Sequence, residues 1–353
     1  MSAVPQPHAP SAGAGRLDGW LARVHPVSWV LAVLLIVYPW IVSPFFALQI
    51  GAYSLILGTI ALSLMWLAGY GGMVSLAQLT VAGVAGYMFA IFSANNADIG
   101  PQWPWWIATP LAILIGTLAA TLIGAISVRT EGIYTIMITL AIAVAFFYFA
   151  RQNYAIFNGF SGFNGILAPT AFGIYWRDPT PFYYLCLAVA AGGYFLVLYA
   201  HRSPFGLSLQ AVRDNPRRAS ALGYHVNAHR IAAYAFAGVI AATAGVLSIW
   251  FNGRISPGSV GVDVAIDILV IAVVGGLSHP IGPFIGAVLF VLLENFAIDL
   301  IDRERFNTVI GLAFLLIVFF SPDGLLGLWR RFKPTLMPGG LSDSIDRWRR
   351  PGG

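Results

Sequence analysis

Apolar residues in this chain do not alternate with polar ones. They come in unbroken runs of roughly twenty, divided by short polar breaks or by glycine and proline. Runs lie near 27–43, 45–68, 73–93, 105–127, 132–150, 180–200, 229–252, 263–278, 283–300 and 306–320. An α-helix rises about 1.5 Å per residue, so about twenty apolar residues cross the ~30 Å hydrocarbon core of a bilayer. A helix also pairs its own backbone groups where no water can do so. The pattern predicts an all-α polytopic membrane protein with eight to ten transmembrane helices. The count is a range because the eighth and ninth runs are short. The link GGLSHPIGP joins them either as two full spans or as a re-entrant pair.

The domain reading follows from these runs. Residues 1–26 are small, Pro-rich and polar, and lack the basic-to-apolar-to-small order of a signal peptide. They read as a disordered cytoplasmic tail. Residues 27–321 form the membrane domain, and 322–353 a basic cytoplasmic tail. Five runs precede the long segment 151–179 and five follow it. Two such sets would cross the membrane in opposite senses, as inverted five-helix halves.

Composition agrees with the pattern. The chain is 58% hydrophobic and 9% charged, against about a quarter charged in soluble domains. The net charge of +5 would suggest nucleic acid in a soluble protein. Here it follows topology, because cytoplasmic loops collect Lys and Arg. With the N-terminus inside and ten spans, fourteen basic residues fall inside (16, 23, 129, 202, 213, 217, 218, 230, 330, 331, 333, 347, 349 and 350). Five fall outside (151, 177, 254, 303 and 305), so both termini are expected in the cytoplasm. That orientation places Trp103 to Trp106 (WPWW) at the outer interface, where Trp prefers to sit.

Candidate chemistry is sparse. The single cysteine, Cys186, lies within an apolar run and reads as a packing residue. The turn GFSG at 159–162 resembles serine nucleophile sites, but Ser161 falls outside while the histidines fall inside, about a bilayer apart. It reads as an outer loop or re-entrant turn. There is no phosphate-binding loop, and Lys333 is the only lysine. No cofactor, metal or catalytic residue is expected. Small residues recur at four-residue spacing in Ala82 and Gly86, in Ala237, Ala241 and Gly245, and in Gly282 and Gly286. Such rows let helices approach closely in lipid. Acids in or near spans are Asp263, Asp267, Glu294 and Asp299, with Glu294 the deepest. Glu294 reads either as a hydrogen-bonded residue between helices or as the coupling site of an ion-driven secondary transporter.

One segment interrupts the apolar pattern. Residues 202–230, RSPFGLSLQAVRDNPRRASALGYHVNAHR, carry five arginines between two runs. Asn215-Pro216 suits a helix start and Gly223 a stop, which predicts a short helix from Pro216 to Leu222 after another short helical piece. A topology-fixing loop, an interfacial helix on anionic lipid and a docking site for another protein all fit it.

The segment also resembles the coupling loop of ABC importer permeases. Together with five other blocks it resembles the LivM-type permeases of branched-chain amino acid importers. Those blocks are GMVSLAQLTVAGVAGY (72–87), RTEGIYTIMITLA (129–141), NGFSGFNGI, VVGGLSHPIGPFIGAVL and SPDGLLGL, in that order over about residues 50 to 330. Ala77 and Ala85 stand where that family usually has Gly, and Arg217 where many relatives carry an acid. The resemblance implies one permease subunit that supplies path and coupling but no covalent chemistry. It implies two cytoplasmic ATPases, a second LivH-like permease and a periplasmic solute-binding protein as partners, in a bacterial inner membrane. It further implies coupling residues at Arg213, Arg217, Ala219, Leu222 and Gly223. Ser75, Gln78, Gly83, Tyr134 and Glu294 are candidate path residues. Relatives of this type are associated with branched-chain and other amino acids, amides, urea or small aromatic acids.

Overall fold

A computed structural model of the chain describes residues 26–171 and 173–300, with the single positions 311, 312, 315, 324, 325 and 327. The expected N-terminal tail, tenth span and C-terminal tail lie outside the described residues, those isolated positions aside. The described residues are mainly helical, with three short strand pieces at Phe163–Asn164, Thr170–Ala171 and Ile174–Tyr175 and a fourth at Arg254–Ile255. The helices are α1 (Pro26–Ile41), α2 (Phe46–Tyr70), α3 (Gln78–Phe92), α4 (Trp105–Ser127), α5 (Ile133–Gln152), α6 (Pro179–Arg202), α7 (Pro204–Asp214), α8 (Pro216–Ala221), α9 (Val226–Asn252), α10 (Val262–Gly275) and α11 (Gly282–Leu300). Among the described residues, six helices are long and apolar enough to cross a membrane: α2, α4, α5, α6, α9, and α10 counted with the turn before it. Apolar helices of 10–17 residues occupy Gln78–Phe92 and Gly282–Phe296.

The third apolar run departs from expectation at its start. Residues 71–77 are irregular, and α3 begins only at Gln78. Gly72 adopts φ +68°, a left-handed conformation that ends the preceding helix. The chain from Gly253 to Gly261 holds only the strand Arg254–Ile255 and a 3-10 turn at Pro257–Val260, and the α-helical part of α10 has 14 residues. Helix α2 is wound as a π-helix at both ends, over Phe46–Ala52 and Trp66–Tyr70.

Contacts divide the molecule into two ends. At one end Arg213 reaches Gly69, Gly69 meets Leu277, Arg230 pairs with Glu131, and Tyr70 stacks on His201. At the other, Phe163–Asn164 pairs antiparallel with Arg254–Ile255, Asn96 N donates to Asn164 O, and Trp103 N to Phe92 O. The WPWW stretch sits at this second end, with Trp103, Trp105 and Trp106 exposed.

The two halves cross in opposite senses and repeat each other's packing. Helix α2 runs toward the Arg213 end and α9 away from it; α3 runs away from it and α10 toward it. Helix α3 packs on α4 as α10 packs on α11. Helix α9 packs on both α3 and α4, as α2 packs on both α10 and α11. Helices α2 and α9 cross each other between the halves. Three helices of each half thus show an inverted arrangement; the fifth run of the second half lies outside the described residues.

The small-residue rows lie at these crossings. A Cβ on Gly245 would meet the Ala82 carbonyl oxygen at 2.1 Å, and one on Gly286 the Ile271 oxygen at 2.1 Å. Large side chains fill the space beside them. Tyr87, Phe163, Phe182 and Trp250 pack toward one end, and Trp66, Met65 and Tyr234 toward the other. Cys186 is buried in α6.

Helix α1 is tied to α6 by side-chain hydroxyls. Pro39 has no N–H, so the Leu35 carbonyl loses its intrahelical donor. The Tyr183 hydroxyl donates to that carbonyl at 2.9 Å, and Tyr184 to the Ile36 carbonyl at 2.7 Å. In lipid no water would replace either donor.

Candidate coupling surface and path residues

The arginine-rich segment folds as two short helices whose ends are set locally. Ser203 Oγ accepts from Gly206 N at the start of α7, and Asn215 Oδ1 accepts from Arg218 N at the start of α8. A proline follows each cap, where its missing N–H costs nothing. Tyr224 N donates to Ala219 O at 3.1 Å across Gly223, which has φ +91°. This six-to-one bond closes the helix and requires a left-handed residue, hence Gly223.

Helix α7 turns one face to the bundle. Leu209 and Val212 are fully buried, and Phe205 stacks near Trp66. Helix α8 is different. Arg217, Arg218, Ser220, Leu222, Gly223 and Tyr224 are all exposed, Leu222 by 73%. A Cβ on Gly223 would meet nothing within 4 Å. The five residues read from the sequence therefore divide. Arg217, Leu222 and Gly223 face outward, Ala219 is buried, and Arg213 is bound to the bundle. Arg213 pairs with Asp214 at 2.8 Å, its Nη1 donates to Gly69 O, and its methylenes cover Gly72.

This end is the more basic one. It carries Arg129, Arg202, Arg213, Arg217, Arg218 and Arg230 against Glu131 and Asp214, whereas the other carries Arg151, Arg177 and Arg254 against Asp98, Asp178 and Asp263. The imbalance has the sign that anionic partners and the positive-inside rule favour.

The candidate path residues do not form one cluster. Ser75 and Gln78 are buried together where the irregular segment enters α3. Ser75 Oγ accepts from Ala77 N, and Gln78 meets Ser63 Oγ of α2 at 3.1 Å. Gly83 lies one and a half turns further on, where its missing side chain makes room for Val260. Tyr134 is exposed by 64% at the start of α5, away from that core. Glu294 is half-buried on α11 and has Asp267 of α10 and Tyr53 of α2 as electrostatic neighbours. Ser161 sits in the loop at the end opposite His201 and His229, with Gly162 packed on the Ile255 carbonyl. Among the described residues no group of three His, Cys, Asp or Glu is placed to hold a metal ion.

Sequence reasoning missed three contacts around residues 71–77. Arg230 donates to Glu131 through both Nη atoms at 3.3 Å, across 99 residues. Leu76 N donates to Thr139 Oγ1 at 3.2 Å. The Tyr234 hydroxyl faces Ser75 and Ser127 without completing a hydrogen bond to either. The available signal was Glu131 within RTEGIY, a short charged break between two apolar runs.

The family described as "Branched-chain amino acid transport system / permease component" matches residues 46–319. The chain is 23% identical over 337 residues to the high-affinity branched-chain amino acid transport permease LivM of Salmonella typhimurium, covering 89% of this chain and 77% of that one. It is 28% identical over 302 residues to a probable branched-chain amino acid permease LivH of Methanocaldococcus jannaschii, covering 81% and 84%. It is also 24% identical over 261 residues to the ribose import permease RbsC of Haemophilus influenzae, covering 70% and 79%. No solved structure matches it.

Proposed function

The chain belongs to the family of permease components of branched-chain amino acid transport systems, and on that premise we propose that it forms part of the path of an importer driven by ATP hydrolysis on separate subunits. The transported solute is a branched-chain amino acid or a related small polar solute. Relatives named for ribose import leave the class wider than amino acids. The partners are two cytoplasmic ATPases, a second LivH-like permease and a periplasmic solute-binding protein. The chain lies in a bacterial inner membrane with both termini and the 202–230 segment in the cytoplasm.

One observation carries the coupling role. Helix α8 presents Arg217, Leu222 and Gly223 outward, while its neighbour α7 is locked into the bundle through Phe205, Leu209, Val212 and Arg213. A partner that moves α8 therefore moves the helices behind it. An exposed leucine on a basic surface suits a cleft with an apolar floor and acidic rim.

The test is purification from native membranes with identification of co-purifying chains, followed by ATPase and uptake assays on the complex. Leu222→Glu should abolish ATP-driven uptake while the complex still folds, since the side chain is 73% exposed. Gly223→Trp should do the same, and Gly223→Asn, which tolerates left-handed backbone, should retain uptake. Uptake that survives both Leu222→Glu and Gly223→Trp would exclude α8 as the docking element. A chain that purifies alone and transports in an ion gradient would instead favour the secondary-transporter reading, with Glu294 the first residue to replace.

A further inference from the structure

We infer that Glu131 and Arg230 form a second coupling strut, and that it converges with Arg213 on residues 71–77, the part of the path that moves. This rests on the coupling reading above and names the elements inside the bundle that α8 would drive.

The first route is direct. Arg213 is the penultimate residue of α7, two residues before the Asn215 cap of α8. Its guanidinium holds the Gly69 carbonyl at the end of α2, and its methylenes lie over Gly72, where any side chain would collide. A displacement of α7 and α8 is thus delivered to the first residues of the irregular segment.

The second route starts on the far side of α8. Helix α9 begins at Val226, two residues beyond Tyr224, and Arg230 stands in its second turn. Arg230 holds Glu131 in the turn between α4 and α5. From there side-chain hydroxyls run along the interior of α5. Thr135 Oγ1 donates to Thr130 O at 3.0 Å, Thr139 Oγ1 donates to Thr135 O at 3.0 Å, and Leu76 N donates to Thr139 Oγ1 at 3.2 Å. Thr135 and Thr139 are buried, so water does not compete for these bonds. The two routes enter the segment from opposite ends, at Gly69–Gly72 and at Leu76.

Residues 71–77 are suited to be what moves. They have no helical ladder to break, and they lead into Gln78 and Gly83 on α3. Ser75, Leu76 and Gln78 are buried, so any exposure of them during transport is a change of state.

Glu131 is 71% exposed, so its replacement should leave a folded complex in which a coupling defect can be read. The Arg230 side chain is only 11% exposed, so Arg230→Glu is read beside the double variant, which sets an opposite charge next to it again.

The experiment uses the complete importer in proteoliposomes, with the solute that stimulates its ATPase. Glu131→Arg and Arg230→Glu should each lower uptake per ATP hydrolysed by about tenfold, the equivalent of about 1.4 kcal/mol. The double variant Glu131→Arg/Arg230→Glu should recover most of it, which a purely local packing role would not produce. A thiol at Ser75→Cys gives a second readout on this chain, because Cys186 is buried. Its maleimide labelling should differ between nucleotide-free and vanadate-trapped complexes, and that difference should vanish in Glu131→Arg. Single variants with wild-type stoichiometry, or a double variant as defective as either single one, would overturn the strut. A wild-type complex without ATP-driven uptake would overturn the importer reading itself.

Discussion

The crossing of α9 and α3 offers the sharpest stability prediction. A Cβ placed on Gly245 would lie 2.1 Å from the Ala82 carbonyl oxygen and 2.7 Å from Ala82 Cα. Both are backbone atoms, which cannot rotate away. Restoring a contact of 3.0–3.4 Å means parting the two helices by about 1 Å. That movement also loosens α4, because a Cβ on Gly116 would lie 2.8 Å from both Ala85 of α3 and Ala242 of α9. Overpacking of this kind costs about 1–3 kcal/mol, and the higher helix propensity of alanine returns up to ~1 kcal/mol. Gly245→Ala should therefore destabilise by about 1–2 kcal/mol, and Gly245→Val by more. Gly192 on α6 is the control, since a Cβ there meets nothing within 4 Å. Gly192→Ala should be neutral or stabilising by up to ~1 kcal/mol. The assay is the thermal unfolding midpoint of the detergent-solubilised chain, followed by fluorescence-detected size exclusion. A Gly245→Val midpoint at or above that of the wild type would refute the close-approach account of the rows.

Two further outcomes follow from the packing. Tyr183→Phe leaves the Leu35 carbonyl opposite Pro39 with no donor and should cost about 1 kcal/mol; Tyr184→Phe should cost less, because the Ile36 carbonyl faces an intrahelical N–H at Trp40. Hydrogen exchange in α1 would rank the two. Cys186 should resist a membrane-permeant maleimide in the folded chain and react fully in detergent denaturant, since its side chain is buried against α2.

Much of the architecture was legible because lipid imposes one rule on every span. The run at 105–127 coincides with α4, and 180–200 and 229–252 with α6 and α9 to within a few residues. The Asn215-Pro216 start of α8 was legible too, since capping is a local interaction. What hydropathy could not reveal is where an apolar run stops being helical. Residues 73–77 are as apolar as their neighbours, yet Gly72 breaks the helix and Thr139, 63 residues away, takes the Leu76 N–H. The proposed coupling set stood out as a segment and not as a surface. Whether Ala219 faces in and Leu222 out depends on how α7 docks, and α7 docks through Phe205 on Trp66, more than a hundred residues earlier. Glu131 and Arg230 were each in view, but nothing local links two charges 99 residues apart.

The inverted packing gives these irregular segments a common logic. Segment 71–77 enters the bundle from the Arg213 end, and 253–261 enters from the other. Each precedes a shortened helix, α3 or α10, in the corresponding place of its half. Irregular backbone at membrane depth is tolerated only where protein satisfies its polar groups. Here Met73 N donates to Leu67 O and Leu76 N to Thr139, while Ser256 N donates to Ser259 Oγ and Ile166 N to Gly253 O. Each of these bonds runs to a particular partner, and the second segment is held further by the strand pair of Arg254–Ile255 with Phe163–Asn164 and by a 3-10 turn at Pro257–Val260. Val260 at the end of one segment sits in the space left by Gly83, a turn and a half beyond the end of the other. A Cβ on Gly83 would take the place of Val260, so α3 and the 253–261 segment lie against each other only because residue 83 has no side chain.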